Sequence, residues 1–342
     1  MTNKSNSTGR TSILRRMGRW SKRHKVLTTL FGILAAIVII IATFSIINLI
    51  TREEPVVSQP FTTDSVISKD GTKIGYRQYG RGPGLILVHG GMMAAQDFND
   101  LASVLSDRFT VYVPDRRGRG MSGPYTKDHS IQKEVDDMQA LLEKTEAPYV
   151  FGLSAGAIIS LESALQLPQI EKLAVYEPPI PLEGQESTVG WLPEYDKQLA
   201  DNQLGAALIT VARGTGDSSI LTMLPRFISN PFMNFAINAQ AEEAKPGEVP
   251  LKDLVPTVYY DARVVASTEN KIEPYAQIKA KTLLMNGTKS PSNLQAPIKA
   301  LSKVLSSSEH VEFDGANHLA ATNGEKPRAV AEQLRRFFVE AD

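Results

Sequence analysis

The chain has 342 residues, a formal net charge of zero, 42% hydrophobic and 22% charged residues, and no cysteine. That length accommodates one α/β domain with added segments, and the missing cysteine excludes disulfides, thiolate metal sites and a cysteine nucleophile. The zero charge conceals a split, with eight Lys/Arg and no acid in residues 1–25, no charge in 26–50, and 29 basic against 37 acidic residues thereafter; a basic tail on an acidic body argues against nucleic acid as the domain's partner.

Residues 1–25 read as a basic tail carrying Arg15, Arg16, Arg19, Lys22, Arg23 and Lys25. Residues 26–50 are dominated by Ile, Leu, Ala, Val and Phe. As a helix they would extend about 37 Å, enough to cross a hydrocarbon core of about 30 Å with some tilt. A cleaved signal peptide would have a shorter apolar region and a small-x-small cleavage site. This run instead ends Ile47-Asn48-Leu49-Ile50-Thr51-Arg52. The expectation is an uncleaved signal anchor, single-pass. The basic residues before it place the N-terminus in the cytoplasm and the large domain outside the cell. Residues 51–60 read as a linker.

Asp64–Ser68 and Lys73–Tyr79 flank an Asp70-Gly71 turn and predict a hairpin. Leu85–Val88 is a short, wholly apolar run, as for a strand buried on both faces, and it ends in His89-Gly90-Gly91. A helical stretch follows over Gln96–Leu105, then a strand over Phe109–Val113 leading into Asp115-Arg116-Arg117-Gly118-Arg119-Gly120-Met121-Ser122. Ile131–Lys144 has helical spacing, Pro148–Phe151 strand character, Ala157–Leu165 helix character and Lys172–Tyr176 strand character. The alternation then breaks until Thr282–Met285, the next strand. Asn293–Leu305 reads as a helix, His310–Phe313 as a strand and Lys326–Glu340 as an amphipathic helix. This order predicts a mostly parallel α/β sheet with helices on both faces. The core comprises 61–182 and 275–342, and a helical cap is inserted at 183–274.

The chemistry centres on Gly152-Leu153-Ser154-Ala155-Gly156, a G-x-S-x-G between strand and helix. That context is a nucleophile elbow, in which a sharp turn lifts one hydroxyl above the sheet edge. In open α/β sheets ligands sit at the carboxyl ends of the strands. Those ends carry His89-Gly90-Gly91, Ser154, Glu177, Asn286-Gly287 and Asp314-Gly315-Ala316-Asn317-His318. Ser154 is the candidate nucleophile and His318 the candidate base. The loop Asn286–Pro291 contains no carboxylate, so Glu177 is the candidate acid; Asp314 is the poorer alternative, only four residues from His318. The N–H groups of Ala155 and Gly91 are the candidate oxyanion donors, and His89 is read as a structural residue beneath that loop. In the cap, Ile220–Ile237 is rich in Met and Phe and carries only Arg226 as a charge. Phe227, Phe232 and Met233 are therefore candidate lining residues of an apolar pocket.

Together the His89-Gly90-Gly91 loop, the Asp115-x-Arg117-Gly118-x-Gly120-x-Ser122 segment, the elbow and the Gly315-x-Asn317-His318 loop resemble the α/β-hydrolase fold family, over roughly residues 60–342. Ser154 at the elbow argues against the epoxide hydrolase and dehalogenase branches, which carry Asp there. In the more usual family pattern Ser290 would be an Asp; some relatives instead place the acid after the strand following the elbow, as at Glu177. The resemblance implies a serine hydrolase acting on an ester-like bond of a small or medium apolar substrate, with no metal or organic cofactor. Two other readings stay open: a non-catalytic surface binding protein on a hydrolase scaffold, and a cofactor-free perhydrolase or haloperoxidase-like enzyme.

Overall fold

A computed structural model describes residues 53–126, 128–184, 189–215 and 220–339. The basic tail and the apolar run 26–50 lie outside the described residues. Among those described, no helix is long and apolar enough to cross a membrane.

The predicted hairpin forms as β1 (Phe61–Ile67) and β2 (Lys73–Tyr79), paired antiparallel across the Asp70-Gly71 turn. Gly71 sits at φ +85°, a conformation that favours glycine. Then come β3 (Gly84–Val88), α1 (Asn99–Leu105), β4 (Thr110–Pro114), α2 (Ile131–Thr145), β5 (Tyr149–Leu153), α3 (Ala155–Gln166) and β6 (Lys172–Tyr176). The predicted helix over 96–105 begins instead as a 3₁₀ turn, Ala95–Phe98, in which Asp97 accepts from the Ala94 N–H at 2.8 Å.

Between β6 and β7 (Lys281–Gly287) the described residues are helical: α4 (Leu192–Ala200), α5 (Leu204–Gly214), α6 (Ile220–Met223), α7 (Arg226–Glu243), α8 (Leu251–Leu254) and α9 (Val258–Ala266). The chain closes with α10 (Ser292–Val304), β8 (Ser308–Phe313) and α11 (Pro327–Val339). The sheet order is β1-β2-β4-β3-β5-β6-β7-β8. β2 runs antiparallel to β4, and the pairs from β4 through β8 are all parallel.

The two-residue period of each strand divides its side chains between two cores. Ile86, Val88, Val150, Leu173, Val175 and Leu284 join one, against Val135 and Leu141 of α2, Ile158 of α3 and Leu301 of α10. Leu85, Leu87, Phe151, Ala174, Leu283 and Met285 join the other, against Leu101 of α1 and Leu334 and Phe338 of α11. A third cluster, around Tyr195, Leu208, Val211, Ile237 and Val258, holds the inserted helices together. Each fully buried aliphatic side chain contributes about 1.5–3 kcal/mol.

Leu87 is fully buried in the middle of the sheet, whereas Ile67 on β1 is 65% exposed. Urea unfolding should therefore show Leu87→Ala less stable by about 2–5 kcal/mol and Ile67→Ala changed by no more than about 0.5 kcal/mol.

Candidate active site

The elbow is built by close backbone packing. Ser154 has φ 56° and ψ −123°, outside the regions where non-glycine residues rest easily. A Cβ added at Gly152 would lie 2.5 Å from the Gly156 carbonyl oxygen, and one at Gly156 would lie 2.2 Å from that of Val88. Any side chain at either position would drive β5, β3 and α3 apart. The Ser154 N–H donates to the Tyr176 carbonyl at 2.9 Å, which locks the turn to β6.

Strand register brings the other groups to the same level. Val88 pairs with Gly152, Leu153 with Tyr176, and Tyr176 with Met285. His89, Ser154 and Glu177 thus lie just beyond aligned strand ends, at the level of Asn286 near the end of β7. Glu177 has no exposed surface. Its Oε2 lies 2.7 Å from His318 Nδ1, and its Oε1 accepts from the Gly287 N–H at 2.7 Å. The last residue of β7, just ahead of the carboxylate-free loop, therefore supplies the backbone donor that fixes the carboxylate following the neighbouring strand. The His318 loop is braced by the Tyr176 hydroxyl, which donates to the Asn317 carbonyl at 2.9 Å. Asp314 turns elsewhere, with its Oδ1 3.4 Å from Thr288 Oγ1. Among the described residues no hydrogen bond joins Ser154 Oγ to His318; such bonds are often long before substrate binds.

The remaining described histidines are committed to other partners or buried. His89 Nε2 accepts from the Arg116 N–H at 3.2 Å, leaving Nδ1 to donate to the Gly90 carbonyl at 3.0 Å. Burial, with Arg119 and Arg116 nearby, pushes the His89 imidazolium well below its usual pKa. Burial likewise pushes His129 down to about 4. His310 Nε2 is 2.6 Å from Asn286 Oδ1.

The loop after β3 approaches the elbow closely, since a Cβ on Gly90 would lie 3.1 Å from Ser154 Cβ. The Met92 N–H is taken by Asp261 Oδ2 at 3.0 Å. The N–H groups of Gly91 and Ala155 carry no hydrogen bond to another described residue, so both are available to an oxyanion.

Sequence reasoning missed the residues that hold this loop. Asp261, on α9, bonds Arg116 at 2.9 Å and Arg119 at 2.7 Å. Arg119 donates to the Gly90 and Met93 carbonyls at 3.2 and 2.9 Å, and Arg116 also pairs with Glu134 at 2.7 Å. Burial works against every one of these charges. The carboxylates nonetheless raise the Arg116 pKa, and the two arginines lower that of Asp261. The arginine-rich turn was visible in the sequence, but its partner lies 145 residues from Arg116 and carries no local signal.

In the cap the structure departs from the expectation of a Met/Phe-lined pocket. Phe227 is 79% and Phe232 53% exposed, while Met233 is half-buried against the cap's own cluster. Helical period decides this. Ser229, Met233 and Ile237 form the inward stripe of α7, packed on α5, and Phe227, Ile228, Phe232 and Phe235 fall on the outward side.

The sequence pattern described as "Alpha/beta hydrolase family" matches residues 85–333. Over 113 residues the chain is 37% identical to "Uncharacterized hydrolase YraK" of Bacillus subtilis (strain 168), a match covering 32% of this chain and 42% of that relative. The chain thus spans less than half of that relative's length. Among solved structures it is similar to an alpha/beta hydrolase from Sphaerobacter thermophilus DSM 20745, at 28% identity and TM-score 0.65, covering 80% of this chain and 100% of that one. It also shares its fold with the enol-lactonase from Burkholderia xenovorans LB400, at 20% identity and TM-score 0.59, covering 81% and 100%.

Removing one partner of a buried ion pair strands the others. Asp261→Asn should therefore lower the unfolding free energy by about 3–5 kcal/mol, measured by chemical denaturation. A loss below about 1 kcal/mol would mean that the two arginines find other partners.

Proposed function

Since the chain belongs to the alpha/beta hydrolase family, we propose that it is a membrane-anchored serine hydrolase that cleaves an ester-like bond through Ser154, His318 and Glu177. The observation that carries this reading is the 2.7 Å contact between Glu177 Oε2 and His318 Nδ1, one strand away from a serine in an elbow conformation. That bond leaves Nε2 as the imidazole's acceptor. His318 takes the Ser154 hydroxyl proton as Oγ attacks the substrate carbonyl carbon. The tetrahedral oxyanion is received by the Gly91 and Ala155 N–H groups, each such donor being worth about 3–4 kcal/mol. Glu177 orients the ring and offsets the imidazolium charge. The imidazolium then returns its proton to the leaving alkoxide, and water, activated by the same base, releases the acid.

The anchor belongs to the same proposal. It rests on the uncharged run 26–50 and the basic residues before it, which place the N-terminus in the cytoplasm and the catalytic domain outside. The substrate is a small molecule with an ester-like bond. Phe227 and Phe232 give no support for an apolar pocket, so the bond type rests on the catalytic groups alone.

A fluorophosphonate probe should label the wild-type protein and leave Ser154→Ala unlabelled. Absence of labelling in folded wild-type protein would instead favour a binding protein on this scaffold. Glu177→Gln should reduce turnover of a model ester by about 10⁴, the scale seen when a triad acid is made neutral. Asp314→Asn should change it little. Equal losses in both variants would remove Glu177 from the assigned role.

A further inference from the structure

The outward side of the cap helix α7 has an apolar character unusual for a surface. Phe227 is 79% exposed, Phe232 53% and Phe235 71%, with Ile228 beside them and Met223, the last residue of α6, 78% exposed just ahead of the helix. Isolated exposed hydrophobics are ordinary, whereas a group of large ones on one helix marks an interaction site. Over Ile220–Gln240 the only charge is Arg226, and it is paired with Glu194.

The position of residue 53 says what meets this face. The Glu53 carboxylate accepts from the Arg328 and Ala329 N–H groups at 2.8 and 3.1 Å, at the first turn of α11. An anion is favoured there by the free N–H groups and the helix dipole. The first turn of α11 follows the His318 loop, and that loop meets the segment after β3: the Asn323 N–H donates to the Asp97 carbonyl and its side-chain amide to that of Gln96. Gln96 in turn bonds Val249 of the cap. Glu53 therefore lies at the carboxyl edge of the sheet, the edge that carries the cap. From a span ending at residue 50 to Glu53, the chain reaches about 10 Å at full extension.

We propose that the exposed face of α7, formed by Phe227, Ile228, Phe232 and Phe235 with Met223 at the end of α6 before it, seats the cap on the surface of the lipid bilayer. The inference rests on the anchor reading for its tether and on the cap itself for its contact. A short tether on the cap's own edge holds this face near lipid, and such helices bury their apolar side in the boundary between headgroups and acyl chains. The 26–50 run is a poorer occupant. It is uncharged all round, and one helix face would cover only one side of it.

The chain's lack of cysteine makes the test direct. Phe235→Cys and, as control, Lys303→Cys on α10 are each labelled with a polarity-sensitive fluorophore in the full-length protein. Each is then reconstituted into vesicles of phosphatidylcholine and phosphatidylglycerol in equal parts, with circular dichroism confirming the fold. The position-235 label should shift to the blue and lose about half its intensity or more to spin-labelled lipid; the position-303 label should do neither. Resistance to alkaline carbonate extraction reads the anchor separately. A water-like label at 235 in carbonate-resistant protein overturns the docking and leaves the anchor standing. A blue shift without lipid quenching means that protein covers the face, which also overturns it. Quenching in protein that carbonate removes upholds the docking and overturns the anchor. Failure to bind vesicles at all overturns both.

Discussion

The Glu177 carboxylate is shared between His318 Nδ1 and the Gly287 N–H, with no surface exposed to water. A buried ion costs several kcal/mol unless each oxygen finds a partner. Both partners come from other segments, one from the end of β7 and one from the loop after β8. Three strand ends must therefore hold their positions for this charge to be tolerated. The local backbone accepts strain for it: Glu177 has φ 46°, stabilised by its N–H donating to the Met285 carbonyl and followed by two prolines. Ser154 carries a comparable strain one strand over, and the two lie on adjacent, register-matched strands.

A second buried charge network holds the loop after β3 that approaches Ser154. Asp261 belongs to the inserted segment, yet it holds the Met92 N–H and both arginines of the turn after β4. A Cβ at Gly91 would meet its carboxylate at 3.1 Å, a contact tight enough that the Asp261 side chain would have to give way. The cap is thus part of the machinery that shapes the loop facing Ser154. Because the network is dry, its ion pairs are poorly screened by salt, and its loss would be felt at the loop as well as in stability.

The cap has two apolar sides with different fates. Its inward stripe builds a small core with α4, α5 and α9, while the outward side of α7 has no partner among the described residues. The first described residues are tied to α11 on the same edge. Glu53, the inserted helices and the candidate catalytic groups therefore share the carboxyl edge of the sheet.

Much of the fold was legible in the sequence, because its signals are local. The apolar run Leu85–Val88 and the period of Ile131–Lys144 report burial on two faces or on one, whatever the partner. The elbow was legible because strand, tight glycine turn and helix are consecutive. His318 could be named by position after the last strand, and Glu177 because the next loop lacks a carboxylate. What the sequence could not contain was distance across the fold. The Gly287 N–H carries no residue-type signal, since every non-proline residue offers one. Asp261 looks like any helical acid until folding sets it against Arg116 and Arg119, more than 140 residues away. Phe227 and Phe232 were assigned to a pocket on composition, which counts apolar side chains without saying which way they point. Their direction follows from which stripe of α7 packs on α5, and only tertiary structure decides that.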